Sequence, residues 1–101
     1  VVFVAYRKGY LVELRARDDL KKMGATHVVR SSRSLTPIDL VGIFKDKKEI
    51  WLVQVKGYRE APEDGEKLKK EFRELAELAG TYRVRAFVFM KRRGKYSFIE
   101  I

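Results

Sequence analysis

The chain has 101 residues, of which 46% are hydrophobic and 12% aromatic. That is one domain's worth of material with enough apolar side chains for a core, so two domains and a disordered chain are both excluded. Lys and Arg outnumber Asp and Glu by 23 to 14, a formal net charge of +9, which favours a polyanionic partner such as nucleic acid over an acidic small substrate or a membrane surface.

With no cysteine and one histidine, His27, the chain can build neither a disulfide framework, nor a thiol nucleophile, nor a Cys- or His-rich metal cage. Its longest apolar runs, 38–44 and 50–55, are far shorter than the ~20 residues of a membrane-spanning helix. The apolar start Val1-Val2-Phe3-Val4 lacks a basic leader and a small-residue cleavage site, so a cytoplasmic protein without membrane contact is expected. Asn is absent and Gln occurs once, a depletion of heat-labile residues that fits a thermophilic origin.

The chain opens with a predicted helix over 6–24, which contains no proline and has Gly24 placed to end it. At about 100° per residue, Gly9, Val12, Glu13, Ala16, Leu20 and Met23 fall on one stripe, with Arg15, Asp18 and Lys22 opposite. A carboxylate at Glu13 on that stripe calls for a counter-charge or a cation, and apolar Leu11 stands on the charged face. Residues 26–30 read as a strand, and 31–37 as a polar loop ending in proline.

Two nearly continuous apolar runs, 38–44 and 50–55, flank the charged turn 45–49 and predict an antiparallel pair central in a sheet. An acidic loop over 60–65 leads into a second amphipathic helix over 66–79, with Gly80 as its stop. Two more strands, 84–90 and 96–101, flank a tight basic turn, Lys91-Arg92-Arg93-Gly94-Lys95. The order is α-β-β-β-α-β-β, an α/β fold in which helices flank a central mixed β-sheet, with 1–101 as a single domain.

Three polar residues punctuate the central hairpin: Asp39 at the head of one strand, and Gln54 and Lys56 near the end of the next. Gln54 and Lys56 share a face by the two-residue period, and Asp39 enters beside them at the open end of the hairpin. A hard divalent cation takes oxygen ligands, which the Asp39 carboxylate, the Gln54 amide, the Val55 carbonyl and the Glu13 carboxylate can offer. With Lys56 to orient a bound water, that donor set suits phosphodiester hydrolysis. The basic residues Arg7, Lys8, Arg30 and Arg33 are placed to meet phosphates.

Each position also has a plainer role. Glu13 can pair with Arg17 or with an arginine of a neighbouring strand, Asp39 can serve as a strand-entry residue, and Lys56 can snorkel from a strand end. The turn 91–95 can simply guard a sheet edge. The aromatic stripe Phe72, Tyr82, Phe87, Phe89, Tyr96 and Phe98 has the spacing of core packing, and His27 is assigned no function.

The order of motifs resembles the PD-(D/E)XK, restriction endonuclease-like nuclease superfamily, and within it the archaeal Holliday-junction resolvases. Tyr6-Arg7-Lys8-Gly9-x-x-x-Glu13 resembles the opening helix of those resolvases. Val28-Val29-Arg30-Ser31-x-x-Ser34 resembles their first strand and serine loop, Asp39-Leu40-Val41 with Val55-Lys56 their metal hairpin, and Phe98-Ile99-Glu100 their closing strand. The resemblance implies a Mg²⁺- or Mn²⁺-dependent endonuclease of four-way junctions active in DNA recombination and repair, working as a homodimer and leaving a 5′-phosphate. It makes Glu13, Asp39 and Gln54 metal ligands, Lys56 the catalytic lysine, and Arg7, Arg30, Ser31 and Ser34 DNA-facing or supporting residues. Gln54 departs from the family pattern, in which glutamate is usual, and a neutral amide lowers the expected metal affinity. Two further activities fit this variant: an Mrr-like or repair-type endonuclease cutting duplex or flap DNA, and a catalytically silent DNA-binding module.

Overall fold

The computed structural model describes residues 2–31 and 36–101, with backbone alone for 2–8 and Tyr58. The first helix, α1 (Val2–Lys22), starts earlier than predicted and is followed by β1 (His27–Arg30), β2 (Leu40–Phe44) and β3 (Glu49–Glu60). Then come α2 (Gly65–Glu71), α3 (Arg73–Tyr82), β4 (Arg85–Arg92) and β5 (Lys95–Glu100). The five strands form one sheet in the order β1-β2-β3-β4-β5. Only the β3–β4 pair is parallel among them, so the sheet is mixed. The central hairpin stands in the sheet as expected, with Leu40 opposite Val53 and Ile43 opposite Ile50.

Gly24 ends α1 through its left-handed φ of 108°. Its N–H donates to Lys21 O at 3.1 Å, and the Ala25 N–H reaches back to Leu20 O at 3.0 Å, the paired bonds of a Schellman cap. The stripe Val12, Ala16 and Leu20 is buried on the sheet. Met23, expected on the same stripe, is exposed, because the helix has already ended there and the chain turns away. A Cβ at Gly57 would sit 3.3 Å from Val12 Cγ2, so the missing side chain lets the N-terminal half of α1 lie close to β3.

Asp64 caps α2, its carboxylate accepting the Glu66 N–H at 2.9 Å. The predicted second helix is two helices, interrupted at Phe72, where ψ reaches 39°. The break does not change the phase: Leu68, Phe72, Leu75 and Ala79 are all buried on the same sheet face, and the Ala76 N–H still donates to Phe72 O at 3.0 Å. Gly80 does not stop α3. Arg83 takes the left-handed conformation instead, at φ 55°, and the Val84 N–H closes the end on Ala79 O. The extra turn carries Tyr82 into solvent, so of the aromatic stripe Phe72, Phe87 and Phe89 are buried, Tyr96 and Phe98 are half-buried, and Tyr82 stands outside.

The sheet separates two apolar layers. On one face α1 packs over Leu40, Phe44, Trp51, Val53, Phe87 and Phe89. On the other, α2 and α3 pack over Ala86, Val88, Met90 and Ile99. The run 86–90 is buried on both faces, as a strand covered on both sides must be. Among the described residues no helix is long and apolar enough to cross a membrane.

Candidate active site at the parting of two strands

Asp39 stands one residue before β2, where β2 and β3 begin to separate. Its N–H donates to Val53 O at 2.8 Å, and its carbonyl accepts the Ser31 N–H at 3.0 Å. The carboxylate continues this pattern, with Oδ2 accepting the Val55 N–H at 2.7 Å. The side chain thus takes the place of the backbone carbonyl that an unbroken ladder would offer. Thr36 shapes the approach, its Oγ1 bonded to both the N–H and the carbonyl of Ile38 at 3.2 Å. Burial pushes the Asp39 carboxyl above the ordinary carboxylate value, and the charge of Glu13 adds to this; the Val55 N–H and the Lys56 ammonium act in the opposite sense. Asp39 therefore lies within the fields of both Glu13 and Lys56.

Glu13 approaches from α1. Its Oε2 lies 3.5 Å from Arg30 Nη2 on β1, while Arg17 turns to its neighbour Asp18. Of the plainer roles open to Glu13, the arginine of a neighbouring strand is the one present. The Arg30 guanidinium is 4.9 Å from the Tyr10 ring centroid, and its buried Nε has no hydrogen-bond partner among the described residues. Its pKa is raised, chiefly by the hydrogen bond to Glu13. Arg30, expected to face DNA, is thus turned to Glu13, with about a third of its side chain still exposed.

Gln54 and Lys56 lie on the other face of β3. They line an open groove of about 380 Å³ with Thr36, Pro37, Phe72 and Leu75, and Lys56 Nζ is 5.8 Å from the Phe72 ring centroid. The predicted constellation is therefore distributed. Glu13 and Arg30 stand on the α1 side, Gln54 and Lys56 on the α2–α3 side, and Asp39 between them where the strands part. Val55 serves this site through its N–H, on Asp39. Ser31 serves it through its backbone. The side chains of Arg7 and Lys8, and all of Arg33 and Ser34, lie outside the described residues.

Two acidic residues of this groove escaped sequence reasoning. Glu71 and Glu74 line it beside Phe72 and Leu75, and Glu71 pairs with Arg59. Their only signal was adjacency to the buried stripe of the helix. Among the described residues no group of three His, Cys, Asp or Glu side chains is close enough to hold a metal. Asp39, Glu13 and the Gln54 amide still offer oxygen donors of the type that hard divalent cations accept, Gln54 from the face opposite Glu13. Asp39 is a half-buried carboxylate beside a second one, a repulsion that such a cation would relieve. The residues fit the cation by donor type, with one carboxylate fewer than a three-acid site.

No family model matches the chain, and no curated protein matches it. Among solved structures it is similar to Archaeoglobus fulgidus Hjc, a Holliday junction resolvase from an archaeal hyperthermophile. The TM-score is 0.62 and the identity 22%, over 92% of this chain and 72% of that one. The likeness at this identity is one of architecture: the chain has an Hjc-like mixed α/β fold, a central mixed sheet flanked by helices.

Proposed function

We propose that the chain is a divalent-metal-dependent DNA endonuclease of the PD-(D/E)XK kind, acting on four-way junctions as a homodimer. The observation that carries this reading is Asp39 at the parting of β2 and β3, under the fields of Glu13 and Lys56. The Hjc-like fold and the charge of +9 support it. Asp39, Glu13, Gln54 and the Val55 carbonyl would hold Mg²⁺ or Mn²⁺, which when bound would polarise the phosphodiester and supply hydroxide at neutral pH. Asp39 is held in place for this by the Val55 N–H. The Lys56 ammonium, a mobile point charge on the groove side, orients the attacking water and balances negative charge gathering on the phosphate. Symmetric incision of a junction needs two such sites at fixed separation, hence a two-fold dimer, and Leu11, 54% exposed on α1, is available to its interface.

The test is an end-labelled four-way junction and its matched linear duplex, each incubated with the protein in Mg²⁺, Mn²⁺ or EDTA, beside Asp39→Asn and Lys56→Ala. Paired cuts in the junction that need metal and vanish in both variants are the expected result. Cuts confined to linear DNA would replace the junction reading with an Mrr-like or repair-type nuclease. A second reading, a DNA-binding module without catalysis, is favoured by the neutral Gln54 and by the engagement of Glu13 with Arg30. Tight DNA binding without cleavage in either metal would establish that one instead.

A further inference from the structure

Four cations, Lys91, Arg92, Arg93 and Lys95, surround the turn between β4 and β5. In sequence they serve equally well to keep a sheet edge soluble. The topology gives them a more particular place. Because β4 runs parallel to β3, the turn after β4 lies at the same end of the sheet as Gln54 and Lys56. Asp39 lies at this end too, since Leu40 pairs with Val53. Beyond the start of β2, strand β3 continues to Glu60, which pairs with Lys91. The register slips on the way, Val55 pairing with Phe89 but Glu60 with Lys91, so along β4 Lys91 lies about 7 Å beyond the level of Val55, and Arg93 at the tip of the turn about 13 Å beyond it, at about 3.3 Å per residue.

The turn is held firmly to this extension. The Gly94 N–H donates to Glu60 Oε1 at 3.1 Å, and the Ala61 N–H donates to Lys91 O at 2.7 Å. Arg93 and Gly94, at φ 53° and 80°, form a two-residue turn closed by the pair Arg92 and Lys95. The cations project from a fixed base. Arg93 is 82% exposed, and its nearest carboxylate, Glu63, is 4.0 Å away. Among the described residues Lys91, Arg92 and Lys95 have no ion-pair partner. The strip continues towards α1, where Lys91 Nζ and Arg15 Cζ both approach the Tyr96 ring, at 5.5 and 5.1 Å.

A cluster of cations on a rigid turn, placed beyond the candidate site at the same end of the sheet, suits phosphates. We propose that the turn 91–95 grips the phosphate backbone of the duplex arm leaving the site, about four base pairs from the cut at 3.4 Å of rise each. This rests on the nuclease reading above, and such a grip carries no sequence information.

The test compares DNA binding in EDTA, across a salt series, for the wild-type chain and two triple variants. One is Arg92→Ala with Arg93→Ala and Lys95→Ala. The other removes as many charges from the opposite end of the sheet, Lys45→Ala with Lys47→Ala and Lys48→Ala. The turn variant is expected to bind more weakly, with a salt slope shallower by about 0.9 for each phosphate it no longer neutralises, and the far-end variant to bind as wild type does. The deficit of the turn variant should disappear on substrates whose arms are cut shorter than about four base pairs. Equal deficits in the two variants, or none in either, overturn the inference and leave the nuclease reading standing. Failure of the wild-type chain to bind DNA at all overturns both.

Discussion

Asp39 has two duties that a single substitution can separate. It accepts the Val55 N–H at 2.7 Å, and it brings negative charge to the candidate site. Asp39→Asn keeps an oxygen for the N–H and removes a half-buried charge that lies close to Glu13. Its urea midpoint should equal or exceed that of the wild-type chain, while cleavage is lost. Asp39→Ala leaves the N–H without an acceptor and should lower stability by about 1–2 kcal/mol in the same titration. Gln54→Glu is the complementary change: it adds a carboxylate on the groove face beside Asp39. Tighter Mn²⁺ binding, read from the free-ion resonance in an electron paramagnetic titration, is expected, with faster cleavage. Unchanged binding would mean that residue 54 is not a ligand.

Among single residues the sequence was partly legible. Asp39, Gln54 and Lys56 stand out because each interrupts an apolar run, and an interrupted run is a local signal. The Glu13–Arg30 pair depends on where α1 crosses β1, a non-local fact; the spacing suggested only that some counter-charge was needed. Glu71 and Glu74 gave no sign of the groove, because a carboxylate beside a helix stripe looks like any solvated one.

Among the elements, the alternation of apolar runs and charged turns was sufficient for the sheet, since strands covered on both faces leave little choice of residue. The helix ends were harder to read. Gly80 looks like a stop, yet the helix runs on through it for a further, exposed turn, and Arg83 supplied the left-handed cap. The break at Phe72 was invisible because the buried spacing runs straight through it. The packing of α1 on β3 offers a prediction here. In Gly57→Ala the new Cβ meets Val12 Cγ2 at 3.3 Å, and Val12 is the residue before Glu13. Overpacking there should lower stability by about 1 kcal/mol, and displacement of α1 should reduce cleavage beyond what the smaller folded fraction explains. Equilibrium urea unfolding beside single-turnover rates separates the two effects. A rate that simply follows the folded fraction would show that α1 tolerates the shift without moving Glu13.

Across the whole molecule, residues 1–50 and 51–101 carry nearly equal excesses of positive charge, +5 and +4, and cations stand at both ends of the sheet, around the turn 91–95 and in the turn 45–48. At the end remote from Asp39, Arg85 is bound by acids on both sides. Its Nε and Nη2 each meet Glu100 at 2.8 Å, and Nη1 meets Glu49 at 3.1 Å, tying β3, β4 and β5 together. Trp51 Nε1 also donates to Glu49 at 2.8 Å. These bonds hold both carboxyls below the ordinary value of 4.5, Glu49 mainly through Trp51 and then Arg85, Glu100 mainly through Arg85. For an acid whose pKa is depressed by folding, the stabilisation is complete above its unfolded value and is lost as pH falls through the folded one. The clamp should therefore act in full at neutral pH and fade below 4.5. Arg85→Ala tests this by urea unfolding at neutral and at acid pH. The variant should be less stable than wild type at neutral pH, and the gap should close in acid as the carboxylates take up protons. A gap that persists unchanged in acid would assign the role of Arg85 to its packing against Trp51 and Phe87, whose ring centroids lie 5.3 and 5.0 Å from its Cζ, rather than to its charge.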